Sequence, residues 1–195
     1  MKAKKKFNTN EILEIAVEFI NTEGFEALTL LELAKKLNIK SPSLYNHFDG
    51  LNGLRQCLAV YGIEKLYNSL VSSVVGKSGD EALRALSTSY LAFVRQNFGL
   101  YGAITFVSDG QDNDFKKAGD KVVHLIMKIL TAYDLTINEQ IHIVRGLRSL
   151  LHGFATLEKA DGFRMELNKD ESFNIIIDIF IKGIHSIKAG NYDIG

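Results

Sequence analysis

Apolar side chains recur at intervals of three and four residues along most of this chain, the period of a helix with one buried face. Ile12, Ile15, Ala16, Phe19 and Ile20 make the first such stripe. Asn8 or Thr9 can cap it, Asn8 and Glu11 standing at capping-box spacing, and Gly24 ends it. Thr29 and Glu32 repeat that spacing around Leu30, Leu33, Ala34 and Leu37, so a second helix is expected there, closed by a left-handed Asn38. Ser41 then offers a cap oxygen and Pro42 suits a first helical turn, which opens a third, short helix at once. In it Leu44 and Phe48 can bury together, leaving Ser43, Tyr45, Asn46 and His47 outward. Phe25 and Leu28 would close this small three-helix core from the loop.

A long stripe through Leu54, Leu58, Tyr61, Ile63, Leu66, Leu70 and Val74 predicts a helix over 51–75, with no linker before it. After the break from Gly76 to Gly79, helices are expected over 81–97, 115–133, 138–159 and 171–188, with a short apolar segment at 100–107. The polar run SDGQDND, from Ser108 to Asp114, is the strongest break. Strand alternation is not evident and there is one proline, so the expected fold is all-α. Between Phe173 and Ile187 the last helix holds seven isoleucines and two phenylalanines. Phe173, Ile176, Ile177, Phe180, Ile184 and Ile187 form one stripe, while Ile175 and Ile179 begin a second. A surface helix needs only one stripe, and the surplus, with Leu151 from the helix before, points to a homodimer interface; a larger internal core is the alternative.

Two helices joined by a tight turn, the second showing polar side chains and anchored by a hydrophobic pair, can place that second helix in a DNA major groove. The same geometry can also be merely structural. The run LAKKLNIKSPSLYNHF, preceded by ILEIAVEFINTEGFEALTL, resembles the N-terminal DNA-binding domain of the tetracycline-repressor (TetR/AcrR) family of bacterial transcriptional regulators. The resemblance implies a helix-turn-helix DNA-binding domain at 1–50 and a helical ligand-binding and dimerisation domain at 51–195, joined by the long helix. It makes Thr29, Lys40, Ser41, Pro42, Ser43, Tyr45, Asn46 and His47 the candidate DNA contacts. In one place the chain departs from that pattern: the family's phosphate-gripping lysine is missing from the start of the next helix, which reads Asp49-Gly50-Leu51. Farther on, YLAFVRQNFGLYGAITF and LRSLLHGFATLEKADGF resemble the subgroup named for a Trp-His-Gly signature; His152-Gly153 is present, but the tryptophan, whose place falls near Arg148, is not. The function so implied is a one-component regulator, a repressor relieved by a small-molecule effector and bound as a dimer to a palindromic double-stranded operator.

Composition narrows the field. Net charge is zero, which argues against indiscriminate coating of nucleic acid but not against specific binding. Residues 1–56 carry eight Lys/Arg and seven Asp/Glu, a net of +1; Lys2, Lys4, Lys5 and Lys6 precede the first helix, and Lys35, Lys36 and Lys40 flank the turn, forming a basic rim or simply a solvated one. No apolar run is long enough for a membrane span and no secretory signal is evident, so a cytoplasmic protein is expected. Cys57 is alone, which leaves no disulfide or thiolate cluster within one chain and suits an inert buried thiol.

An effector pocket would draw on Tyr61, Tyr90, Phe93, Tyr101, Phe106, Met127 and Phe154 and suit a neutral aromatic or lipidic molecule, although each residue by itself reads as plain core. Glu139 and His142 have the spacing of helical di-iron sites; the second motif such a site needs is missing, so a solvated Glu and a surface or capping His are expected. His124, His152 and His185 read as hydrogen-bonded packing residues. No phosphate-cradling glycine loop occurs, so neither cofactor nor enzymatic activity is expected. The competing reading is a helical small-molecule-binding or scaffolding protein whose first three helices do not read DNA sequence.

Overall fold

The computed structural model describes residues 7–106 and 113–188. Among them are eight α-helices and no strand: α1 (Thr9–Glu23), α2 (Leu30–Leu37), α3 (Gly50–Val74), α4 (Gly79–Gln96), α5 (Phe98–Phe106), α6 (Asn113–Leu130), α7 (Ile137–Lys159) and α8 (Lys169–Lys188). Short 3-10 turns occupy Phe25–Ala27, Ser41–Asn46 and Thr131–Tyr133. The terminal lysines Lys2, Lys4, Lys5 and Lys6 and most of the polar run after Val107 lie outside the described residues.

The chain divides into two compact units, residues 1–65 with 97–119, and 66–96 with 120–195. The first holds α1, α2, the Ser41–Asn46 turn, most of α3, and α5. Its core is Ile12, Ala16, Ile20, Leu28, Leu33, Leu44, Leu54 and Leu58, all nearly inaccessible to water, so the spacing-derived core is largely the real one. Ile15 and Phe19 are the exceptions, both half-buried, while Leu13 and Val17, outside the expected stripe, are buried. Within this unit α5 is docked on α1 at a point where only glycine fits: a methyl on Gly99 would drive into the backbone carbonyl of Ile20. The Asn21 side chain fixes the same seam by accepting a hydrogen bond from the Leu100 amide at 3.1 Å. Leu100 and Ile104 of α5 also close on Gly62 of α3.

The second unit packs α4 against α7 and α8 around Leu83, Leu86, Leu147, Leu151, Phe173, Ile177, Ile181 and Ile184. Thr136 and Glu139 open α7 with a full capping box. Hydrogen bonds from the Thr136 hydroxyl and amide hold the Glu139 carboxyl below its ordinary range, so the candidate metal carboxylate is a helix cap, and His142 is exposed. Arg84 of α4 pairs with Asp178 of α8, and Arg95 grips Glu158 at 2.8 and 2.6 Å and Asp170 at 2.6 Å. Tyr133 donates to Asp80 at 2.6 Å, and His185 meets the same carboxylate at 2.9 Å. Of the histidines expected to be hydrogen-bonded packing residues, His124, His152 and His185 are all exposed, but His185 is hydrogen-bonded to Asp80 and its ring lies 5.3 Å from that of Tyr133. Cys57 is half-buried.

Candidate nucleic-acid interface

Local chemistry builds the recognition element. Thr29 caps α2, its hydroxyl accepting from the Glu32 amide at 3.1 Å. The reciprocal half of the expected box is missing, since the Glu32 carboxylate turns instead to Lys35 at 2.7 Å. Asn38 takes the left-handed conformation (φ 54°, ψ 43°) that ends α2 and turns the chain. After two intervening residues Ser41–Asn46 forms a 3-10 helix, tighter than the α-helix expected, with Pro42 in its first turn. Its N-cap is Lys40, which makes no side-chain cap bond, so Ser41 lies inside the helix and not at its cap.

Two side chains seat this element. Leu44 is 0% exposed and Phe48 4%, both packed into the first unit's core. Everything else on it turns outward in varying degree: Tyr45 is 62% exposed, Pro42 and Asn46 are exposed, and Ser41, Ser43 and His47 are half-buried. Thr29 at the cap of α2, Lys36 on α2 and Lys40, which precedes the turn, are exposed as well. Of the residues singled out for DNA contact, Ser41, Pro42, Ser43, Tyr45 and Asn46 share this one element, Lys40 and His47 flank it, and Thr29 stands apart as the cap of α2.

Spacing could not reveal two features. The first is a hydrogen bond of 3.0 Å between the Thr9 hydroxyl and His47 Nδ1, which joins residues 38 positions apart. Phe7, Asn8, Thr9, Glu11 and His47 line an open groove of about 410 Å³ there. The second is Arg55, the first cation of α3. It stacks over Phe25 at 5.2 Å and Phe106 at 4.9 Å, themselves 5.3 Å apart, and reaches Glu26 at 3.9 Å. Arg55 therefore packs inward on aromatic rings and does not stand in for the basic residue missing from Asp49-Gly50-Leu51.

The candidate effector residues do not fall in one unit. Tyr61, Tyr101 and Phe106 belong to the first; Tyr90, Phe93, Met127 and Phe154 belong to the second. Tyr90, Phe93, Tyr101 and Phe154 are buried as core, and Phe106 is half open on Arg55 and Phe25. The dimer candidates also sort. Leu151, Phe173, Ile177 and Ile184 are 2–3% exposed inside their own unit, because the stripe at 173, 177, 181 and 184 faces α4 and α7. Ile176, Phe180 and Ile187 are half-buried shoulders, and the outward pair is Ile175 and Ile179, 53% and 63% exposed.

Comparison with known proteins agrees with this geometry. Residues 12–56 match the family described as "Bacterial regulatory proteins, tetR family", and residues 83–180 match "Tetracyclin repressor-like, C-terminal domain". The chain is 36% identical over 174 residues to the HTH-type transcriptional regulator YobS of Bacillus subtilis, covering 89% of this chain and 90% of that one. It is 28% identical to the HTH-type regulator Rv0681 of Mycobacterium tuberculosis, covering 88% and 79%. Among solved structures, a Rhodococcus protein superposes with a TM-score of 0.79 at 22% identity over 94% of this chain and 98% of its own. A variant of TetR from Acinetobacter baumannii, solved in complex with minocycline, gives 0.71 at 18% identity over 94% and 99%. Members of this family are DNA-binding regulators and not enzymes. With both family domains matched in order, and the helix-turn-helix held as described, the chain belongs to the TetR family of bacterial transcriptional regulators.

Proposed function

We propose that the protein is a ligand-relieved repressor that binds a palindromic operator as a homodimer in the cytoplasm. The observation that carries this reading is the recognition turn: exposed Pro42, Tyr45 and Asn46 stand on a segment pinned by two side chains that are almost wholly buried. Short amide and hydroxyl groups pair with base edges, so Asn46 and Ser43 read sequence, while Thr29, Lys40, Ser41, Tyr45 and His47 hold phosphate or sugar. Pro42 sets the turn.

A second copy supplies the second half-site. The surface of α8 beyond its buried stripe is a continuous apolar and small arc: Ile175, Ile179 and Gly183 outward, Ile176, Phe180 and Ile187 at its edge. On α7 the exposed Leu157 and the open Gly153 continue it. An arc of this kind, from two neighbouring helices, fits the same arc on a partner related by a two-fold axis. Such an axis holds two recognition elements at operator half-site spacing. A neutral, largely apolar effector among Tyr90, Phe93, Met127 and Phe154 would favour a state in which α3, continuous through both units, no longer holds that spacing.

Selection of duplexes from a random pool, followed by titration at two salt concentrations, tests the reading. A palindromic consensus bound far more tightly than random duplex, by a dimer, is expected. Equal affinity for all duplexes would leave only the helical binding protein without sequence readout.

A further inference from the structure

We infer that Thr9, on α1, is a positioning residue for DNA contact: its hydroxyl fixes the tautomer and orientation of His47, so that the imidazole Nε2 presents an N–H to a DNA phosphate. The inference rests on the DNA-binding reading above. The two side chains meet at 3.0 Å through His47 Nδ1, across 38 residues of sequence. Because a hydroxyl can donate, it can occupy the Nδ1 lone pair; a neutral imidazole so engaged carries its hydrogen on Nε2, and that nitrogen becomes a donor. No described residue hydrogen-bonds Nε2.

The surroundings favour this arrangement. Glu11 is the carboxylate lining the same groove, but its Oε2 already accepts from the Asn8 amide at 2.9 Å in the α1 capping box. It is thereby held on the helix start and not on the imidazole. Asn8, not Thr9, caps α1, since the Glu11 amide donates to Asn8 Oδ1 at 2.9 Å. The Thr9 hydroxyl is therefore not needed to start its own helix and is available to His47. His47 also sits immediately after the 3-10 turn, its amide bonded to the Leu44 carbonyl at 2.9 Å, so the backbone leaves the ring little choice of origin. The ligand is a phosphodiester of duplex DNA, and the N–H supplies a directional contact where the usual lysine is absent.

The experiment uses the full chain and the tightest duplex recovered from selection on a random pool of about 30 base pairs, long enough for two half-sites one turn apart. Nitrogen-15 NMR of the free protein at about pH 8.5, two units above the ordinary histidine value of about 6.5, reads the His47 tautomer. The expected wild-type spectrum shows protonated Nε2, the Thr9→Val spectrum shows a mixture, and Thr9→Ser restores the wild-type pattern. In titration Thr9→Val weakens binding about tenfold over the two half-sites, Thr9→Ser restores it, and Thr9→Val adds nothing in a His47→Ala background. A wild-type His47 protonated on Nδ1, a Thr9→Val protein that binds as tightly as wild type, or an undiminished Thr9→Val effect without the imidazole each overturns the inference alone. Wild-type protein with no duplex preference but the expected tautomer overturns it through the DNA reading instead.

Discussion

The recognition turn and α8 each expose residues that their own unit does not use, and they do so with opposite chemistry. On Ser41–Asn46 the exposed groups are polar, few, and held by Leu44 and Phe48 beneath them. On α8 the exposed groups are isoleucines, lying next to a stripe that is already satisfied by Phe173, Ile177, Ile181 and Ile184. A polar row on a rigid seat suits a partner whose hydrogen bonds have fixed directions, as base edges and phosphates do. An apolar arc suits a partner that removes area from water, and a second copy of the same arc does this with no new surface. On the proposed reading, the first would set which DNA is bound and the second how many copies bind it.

The sharpest way to break the comparison is to disturb the seat and not the row. Gly99→Ala forces a methyl into the Ile20 carbonyl and should cost roughly 3 kcal/mol or more of stability, since backbone cannot yield as a side chain does. Thermal unfolding should show a large fall with DNA binding lost alongside. Gly153→Ala is the matched control: nothing lies within 4 Å of the added methyl, so the monomer should change by under about 1 kcal/mol, in the stabilising direction. Leu44→Ala, under the row itself, should cost about 3 kcal/mol by cavity formation and remove DNA binding without touching an exposed group.

Next in size is Ile179→Glu. At 63% exposure the substitution spares the monomer's core, so helical content and melting should persist while sedimentation shows monomer and operator affinity collapses. A variant that remains dimeric would place the interface elsewhere. Smaller again are changes within the row. Asn46→Ala should lose about 1–3 kcal/mol of discrimination at one base pair, whereas Tyr45→Ala should weaken binding to every duplex alike; binding profiles over single-base variants distinguish the two.

The smallest effect concerns acid stability in the second unit. Partial burial works to raise the Asp80 carboxyl, but hydrogen bonds from Tyr133 and His185 and the nearby Arg84 charge outweigh it and hold the group below its ordinary value. A carboxyl depressed in the folded state adds stability above its unfolded value of about 3.9 and loses it as pH falls through the lower folded value. Wild type should therefore melt above Asp80→Asn near neutrality, with the difference narrowing below about pH 4. A gap that stays constant across that range would remove the carboxylate from the account.

The order of the helices other than α5, which read only as a short apolar segment, the capping box at Asn8, the cap at Thr29, the left-handed Asn38 and the buried Leu44 and Phe48 were legible in the sequence, because capping and helical periodicity are local and repeat within a few residues. The same local rules failed by small margins where a competitor stood nearby: Lys35 took the Glu32 carboxylate from the Thr29 box, and the turn after Lys40 wound as a 3-10 helix. The surplus of isoleucine on α8 was also visible, but not its division. Which stripe lies inward depends on where α4 and α7 arrive, and those helices left Ile175 and Ile179 outside while taking Phe173, Ile177 and Ile184.

Sequence by itself therefore determined most of the helices and the polar row, each written in spacings shorter than three turns, while the family showed in the resemblance of a much longer run. Only the tertiary structure decided that Thr9 meets His47, that Arg55 lies on Phe25 and Phe106, and that Gly99 seats α5 on α1. Such contacts join positions far apart in the chain, and no periodicity records them, since they are fixed by the packing of whole helices and not by the propensity of any one.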